Sequence, residues 1–120
     1  MKNKTLVLGA SENTERYSNK AILRLKDHGH DVVAIGKRAG SVSGVPIATS
    51  SPELEDIDTV TLYLNPLNQQ PYYDYILSLK PRRIIFNPGT ENDELEERAA
   101  KAGIKVQEAC TLVLLGTGQY

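Results

Sequence analysis

The sequence predicts one domain of the α/β class over residues 1–120, with an open, mostly parallel sheet of five strands and helices on both faces. Two observations support this prediction. Short apolar segments typical of strands alternate with segments of helical periodicity. The connections between them are short, and such strand–helix–strand units build parallel sheets through right-handed crossovers. A chain of 120 residues is also long enough to bury one hydrophobic core.

The five predicted strands are short and apolar. Residues 5–8 form a continuous apolar run, which is typical of a strand buried on both faces. The other four are "DVVAIG", "DTVTLYL", "RRIIFN" and "IKVQEA", at residues 31–36, 58–64, 82–87 and 104–109. The long segment 37–54 is rich in Gly, Ser and Pro, and we expect it to be irregular.

Three helices are predicted between these strands. The first follows Ser18 as its N-cap and carries an apolar stripe. The second begins with Pro71 at its first position and packs tyrosines on the sheet. The third, at residues 93–103, starts with a capping box formed by Thr90 and Asp93.

Composition and charge exclude several classes of protein. The formal net charge is -1, which gives no reason to expect nucleic acid or a membrane surface as partner. Cys110 is the single cysteine, so no internal disulfide can form, as expected in a reducing compartment. The N-terminal segment 1–11 has only a short apolar run, which favours a strand over a signal peptide. We therefore expect a soluble, cytoplasmic domain.

Ligands of open parallel sheets bind beyond the carboxyl ends of the strands, where the strand order reverses. In this sequence the rule selects four segments as the candidate site. They are residues 9–18, 36–40, 65–68 and 87–92.

The loop after the first strand departs from the dinucleotide-binding fingerprint. Gly9 can make the tight turn, but Ser11 and Thr14 occupy the positions of the later glycines. The polar side chains of this loop and the positive end of the helix dipole can still hold an anion. Arg16 adds a guanidinium that can pair with phosphate through two hydrogen bonds. The alternative is a solvated loop with an ordinary helix cap.

Two cations follow the second strand. An NAD-binding domain has an acidic residue there for the ribose 2′-hydroxyl, whereas this chain has Lys37 and Arg38. The pair disfavours NAD and favours a ribose with an extra phosphate, which is the 2′-phosphate in NADP or the 3′-phosphate in coenzyme A. The alternative is that both cations are ordinary surface residues.

Residues 91–97 contain five acidic side chains at the start of a predicted helix. Acidic residues there complement the helix dipole but would repel a pyrophosphate. We therefore expect phosphates at the first helix, while residues 87–90 border the site with neutral groups.

Taken in order, these segments resemble a known family. They are similar to the small stand-alone CoA-binding domain proteins of bacteria. The motifs that carry the resemblance are "LGAS" with a later "RYS", the basic "KR", "GVPIATSSPEL", the proline after the third strand, "NPGTEN" and "EACTLV". That family is similar to the N-terminal CoA-binding domain of the succinyl-CoA synthetase alpha subunit. The resemblance covers essentially the whole chain and implies a Rossmann-like fold that binds coenzyme A or an acyl-CoA.

The resemblance also implies roles for individual residues. The first loop would line the phosphates, the basic pair would lie near the 3′-phosphate, the third loop near the adenine, and the fourth loop on the far side. The residues at the phosphates would be Gly9, Ala10, Ser11, Arg16, Tyr17 and Ser18, and those near the 3′-phosphate would be Lys37 and Arg38. The residues near the adenine would be Asn65, Pro66 and Leu67, and those on the far side would be Asn87, Pro88 and Gly89. Family members often have Asn-Pro where this chain has Gly36-Lys37, and the glycine-rich first loop of the synthetases is absent.

We expect no catalysis and no bound metal, because the chain shows no catalytic constellation. His28 and His30 fall at the end of the first predicted helix, where we expect them to face solvent or to act as partial caps, and they lack a third ligand for a metal. Cys110 is interpreted as a small buried hydrophobe, and the alternative is a thiol that forms a mixed disulfide with coenzyme A.

Two other functions stay open at this point. An NADP-dependent reductase is one. Short-chain reductases have a lysine four residues after a tyrosine, and the tyrosines at residues 72, 73 and 75 have no lysine at that spacing. The other is a vestigial nucleotide fold that serves as a protein-interaction module, in which the apolar tail at residues 111–120 packs on a second copy of the chain. A homo-oligomer or a partner enzyme is left open as a partner.

Overall fold

The computed structural model describes residues 4–120, and its centre is a sheet of seven strands. In chain order these are β1 (Thr5–Ala10), β2 (Val32–Gly36), β3 (Gly40–Val42), β4 (Val45–Ala48), β5 (Thr59–Leu62), β6 (Arg83–Phe86) and β7 (Lys105–Glu108). Their order across the sheet is β3-β4-β2-β1-β5-β6-β7, and every pair is parallel except β3 with β4. The α/β class and the mostly parallel sheet are thus confirmed. Residues 1–3 of the segment predicted to lead into the first strand lie outside the described residues.

The predicted number of five strands is wrong, because the segment expected to be irregular contains β3 and β4. These two strands form a hairpin whose turn, Ser43 and Gly44, has φ of 49° and 83°. Such a two-residue turn matches the twist of paired strands. Val42, Val45 and Ile47 point into the core from this hairpin, and the residues between them are exposed.

Five α-helices and a short 3₁₀ helix connect the strands of the described chain. They are α1 (Tyr17–Asp27), α2 (Pro66–Gln69), the 3₁₀ helix (Gln70–Tyr72), α3 (Tyr73–Ser78), α4 (Asp93–Lys101) and α5 (Thr111–Gly116). Among residues 4–120, none of these helices is long and apolar enough to cross a membrane.

Two predicted helix starts and one predicted helix cap are wrong. α1 is capped by Arg16 rather than by Ser18, which lies inside the helix. The second helix is broken, since α2 begins at Pro66 and Pro71 falls in the 3₁₀ helix. At α4 the side chain of Asn92 accepts a hydrogen bond from the Leu95 N–H and takes the place predicted for Thr90.

Helices cover both faces of the sheet, as predicted. One face packs on α3 and α4 through Tyr73, Ile76 and Leu95. The other face packs on α1 and α5 through Ile22 and Leu115. Leu115 of the apolar C-terminal segment therefore packs on the sheet of its own chain.

The C-terminal tail also closes the amino end of the sheet. The Tyr120 hydroxyl forms a hydrogen bond with the Thr5 hydroxyl, and the Tyr120 ring lies 4.5 Å from the guanidinium carbon of Arg83. Arg83 is only 3% exposed, and burial lowers its pKa from the ordinary value. These contacts lie at the sheet end opposite to the predicted site and fix the tail there.

Candidate ligand-binding cleft

A cleft of about 860 Å³ opens at the carboxyl end of the sheet. The chain passes from β1 to β2 on one side of β1 and later to β5 on the other side, so the strand order reverses at β1. This reversal is where ligands of open α/β sheets bind. The cleft lies there, and all four predicted segments contribute to its lining.

Most of the predicted site residues come together in this cleft. Those that line it are Gly9, Ala10, Ser11, Arg16, Tyr17, Ser18, Lys37, Arg38, Asn65, Pro88 and Gly89. The cleft is therefore formed largely by the segments that the position of the strand ends selects.

The loop between β1 and α1 is ordered by its own polar groups. Gly9 has φ of 101°, and a Cβ atom there would lie 3.0 Å from the carbonyl carbon of Tyr63, so only glycine fits. The N–H of Asn13 donates to the Ser11 hydroxyl at 3.1 Å, and the Asn19 side chain donates to the Ser11 carbonyl at 3.0 Å. These hydrogen bonds tie the loop to the start of α1.

The start of α1 is suited to an anion. Its N-cap, Arg16, makes no side-chain cap hydrogen bond, and the first turn has no acidic residue. The backbone N–H groups of a first helical turn lack partners within the helix and carry partial positive charge. In α1 no side chain neutralises this charge, so a phosphate can do so.

Three cations line the cleft without a carboxylate partner. Arg16, Lys37 and Arg38 are exposed, and none of them forms an ion pair within residues 4–120. The ion pairs that the described residues do form involve other side chains, including Asp58 with Arg82. Glu12 is the one carboxylate among the described lining residues, so the cleft keeps a net positive charge and is attractive to a polyanion.

On the opposite wall, at the start of α4, two backbone N–H groups already have side-chain partners. Glu91 accepts a hydrogen bond from the Gly89 N–H at 2.9 Å, and Glu96 accepts one from the Asn92 N–H at 3.3 Å. The pKa of Glu96 is raised, first by burial and then by a hydrogen bond with Glu108. The lining residues of this wall, Pro88, Gly89 and Thr90, are neutral, and the Gly89 N–H is already bonded to Glu91.

Three predicted site residues do not line the cleft. Asn87 is only 3% exposed, and its side chain forms hydrogen bonds inside the fold. It donates to the Thr61 hydroxyl at 2.7 Å and accepts from the Thr111 N–H at 2.9 Å. Pro66 and Leu67 start α2, and Leu67 is 71% exposed to solvent. The part of this helix region that does reach the cleft is Asn68.

Sequence reasoning missed further lining residues because tertiary contacts place them. Those outside the four predicted segments are Tyr63 and Leu64, directly after β5, while Glu12, Ala39 and Asn68 lie inside those segments without having been assigned a role. A smaller hollow of about 190 Å³ adjoins the cleft and is lined in addition by Ile35, Gly36 and Tyr72. Burial raises the pKa of Tyr63 to about 12, so this phenol stays neutral at physiological pH.

The cysteine and the histidines lie away from the lining. Cys110 is partly buried at the N-cap of α5 and is not among the lining residues. The His28 ring interacts with the Arg24 carbonyl at 2.8 Å, which is a partial cap as predicted, and the His30 ring lies 5.0 Å from that of Tyr120. Within residues 4–120, no group of three or more His, Cys, Asp or Glu side chains is placed to hold a metal ion.

A family model decides the relationship of this chain to known proteins. The model of the CoA binding domain matches residues 3–116, which is nearly the whole sequence. The chain belongs to the CoA binding domain family. The resemblance drawn from the sequence motifs is thereby confirmed. No curated protein matches the sequence.

Solved structures support the fold of this CoA binding domain. A crystal structure of an uncharacterized protein is 52% identical, with a TM-score of 0.98 over 100% of this chain and 99% of that one. A Thermus thermophilus protein is 20% identical, with a TM-score of 0.85 over 99% of this chain and 91% of the other. Acetyl-coenzyme A synthetase 1 of Ca. Korarchaeum cryptofilum is 19% identical, with a TM-score of 0.72 over 89% of this chain but only 25% of that enzyme. The last two likenesses concern the fold alone.

Proposed function

We propose that this protein binds coenzyme A or an acyl-CoA in the cleft at the carboxyl end of the sheet. The observation that carries the proposal is the set of three cations, Arg16, Lys37 and Arg38, which face one cleft without carboxylate partners. Coenzyme A carries a pyrophosphate and a separate ribose 3′-phosphate. Its charge therefore matches a cleft with cations on two different loops.

Each of the two loops would bind a different phosphate group of the ligand. The uncapped start of α1, together with Arg16, suits the pyrophosphate because backbone N–H groups and a guanidinium both donate to phosphate oxygens. Lys37 and Arg38, at the end of β2, suit the 3′-phosphate. Neutral residues of the fourth loop, Pro88 and Gly89, border the ligand on the far side.

We also propose that the protein performs no chemistry of its own. The polar side chains of the first loop are engaged in holding the loop, since Ser11 accepts from Asn13 and Asn13 accepts from Glu15. Nothing in this arrangement pairs a nucleophile with a base that activates it. A partner enzyme would then act on the bound thioester.

Thermal denaturation with four ligands in parallel tests the proposed function. The ligands are coenzyme A, 3′-dephospho-CoA, NADP and NAD. Free ligand at a hundredfold its dissociation constant adds about 2.7 kcal/mol to the free energy of unfolding. At about 4 °C per kcal/mol for a domain of this size, Tm rises by about 10 °C. We expect this rise with coenzyme A and a smaller one with 3′-dephospho-CoA.

The other outcomes identify the alternatives. A rise with NADP alone would favour a reductase-type domain, because the extra phosphate would then be on the 2′ position. No rise with any of the four ligands would contradict nucleotide binding and favour a protein-interaction module.

A further inference from the structure

The side chain of Glu12 reaches the segment after β2, which carries the cations Lys37 and Arg38. It lies in the loop between β1 and α1, exposed in the cleft. Its side chain crosses to the hairpin, where its Oε2 atom accepts a hydrogen bond from the Ser41 N–H at 2.9 Å. Ser41 follows Arg38 by three residues, so Glu12 is fixed beside the segment that carries the basic pair.

Gly40 makes this approach feasible. A Cβ atom at this position would lie 2.7 Å from the Cγ atom of Glu12, closer than real Cβ atoms come to other atoms. The glycine leaves the surface of β3 flat, and the Glu12 side chain lies across it. The carboxylate is therefore held by the Ser41 N–H over a strand surface that the glycine leaves open.

The carboxylate keeps capacity for a ligand. A carboxylate offers about four lone-pair positions for hydrogen bonds. Ser41 uses one of those on Oε2, and no other described residue donates a hydrogen bond to Glu12. Glu12 forms no ion pair with the cations that share the cleft. It is thus an acceptor in the same cleft that Lys37 and Arg38 line.

Resting on the proposed function, we propose that Glu12 accepts a hydrogen bond from the ribose hydroxyl adjacent to the phosphate that Lys37 and Arg38 bind. NAD-binding domains place an acid for a ribose hydroxyl at the end of the second strand. Here that position is basic, and the acid comes from the first loop instead. A cation pair beside a carboxylate selects a ribose with one phosphate and one free hydroxyl. Glu12 is in this sense a specificity-determining residue.

Two small ligands isolate this contact. Adenosine 3′,5′-bisphosphate and its 2′-deoxy analogue have the same charge and differ in the single hydroxyl. A hydrogen bond to a charged group contributes enough that the ribose form should bind the wild-type protein about tenfold more tightly. In Glu12→Ala the preference should vanish, and in Glu12→Gln, which keeps an acceptor oxygen without the charge, it should be reduced. Calorimetry gives both dissociation constants for each variant.

The ratio of the two constants separates this role from a structural one. If Glu12 only held the hairpin, Glu12→Ala would weaken both ligands equally and leave their ratio unchanged, which would overturn the proposal. Glu15→Ala is the matched control, because Glu15 lies in the same loop but does not line the cleft. Equal binding of both ligands to the wild-type protein would also overturn the role of Glu12, although the proposed function would stand. Failure of coenzyme A and of both bisphosphates to bind would overturn the two together.

Discussion

Gly36 and Ala10 lie side by side at the carboxyl ends of β2 and β1, so close that a side chain on Gly36 would overlap the Ala10 carbonyl oxygen. The same Cβ atom would lie 2.9 Å from the Cγ2 atom of Ile47. Both neighbours belong to the sheet and cannot move aside independently. The strand end that precedes the basic pair therefore requires glycine.

Gly36→Ala should destabilise the protein by about 1–3 kcal/mol, the usual cost of overpacking a core. Urea denaturation measures the change. Gly116→Ala is the control, since a Cβ atom at Gly116 meets nothing within 4 Å and alanine favours the helix. The control should be neutral or slightly stabilising. Equal stability of Gly36→Ala and the wild type would show that the strand ends can separate.

Asn87 should act on stability rather than on ligand contact. Its side chain joins β5, β6 and the start of α5 through Thr61, Leu62 and Thr111. Asn87→Ala removes these three hydrogen bonds, although the Thr61 hydroxyl keeps its bond with the Thr111 hydroxyl, and should cost about 2–4 kcal/mol in urea denaturation. Asn68→Ala is the control, because Asn68 is exposed in the cleft and should affect ligand affinity with little change in stability. A stable Asn87→Ala variant with weakened ligand binding would contradict this role.

The sequence predicts β1, β2, β5 and β6 because apolar side chains are concentrated in each of these short segments. β7 gives a weaker signal, because it lies at the sheet edge, has Val106 as its one apolar residue, and is partly buried or exposed along its length. The sequence does not predict β3 and β4, because their buried residues Val42, Val45 and Ile47 are separated by Gly, Ser and Pro. In those strands only alternate residues face the core, and three apolar residues in a polar segment are a weak signal.

The binding site, too, could be predicted from the sequence only in part. Glycines, cations and strand ends mark most of the cleft in the sequence, since loops at the carboxyl edge of a parallel sheet must converge. The contacts of Glu12 and Asn87 could not be predicted in this way. The role of Glu12 depends on a hairpin far along the chain, and Asn87 looks like a surface turn residue until its buried partners Thr61 and Thr111 are seen.

The ion pair of Asp58 with Arg82 should make stability depend on pH in the acid range. Burial alone would raise the pKa of Asp58, but hydrogen bonds from Arg82 and Thr59 outweigh it and hold the pKa below its ordinary value of 3.8. The unfolded chain then binds a proton at a higher pH than the folded chain does. The stabilisation is complete above the unfolded value and is lost as pH falls through the folded value.

Asp58→Asn should therefore be less stable than the wild type at neutral pH, with a difference that shrinks below about pH 4. Urea denaturation at a series of pH values measures this. Arg82→Gln, which removes the partner cation, should show the same convergence with the wild type in acid. A difference that stays constant across the series would mean that the carboxyl titrates alike in both states.

The basic pair at the end of β2 should distinguish coenzyme A from 3′-dephospho-CoA. Replacing both cations, by Lys37→Gln with Arg38→Gln, removes donors to the 3′-phosphate and should weaken coenzyme A about tenfold or more. The affinity for 3′-dephospho-CoA should change much less, because it lacks that phosphate. Arg24→Gln is the control, since Arg24 is an exposed cation of α1 outside the cleft. If calorimetry shows both ligands weakened by the same factor, Lys37 and Arg38 attract the ligand through their general charge and the 3′-phosphate is bound elsewhere.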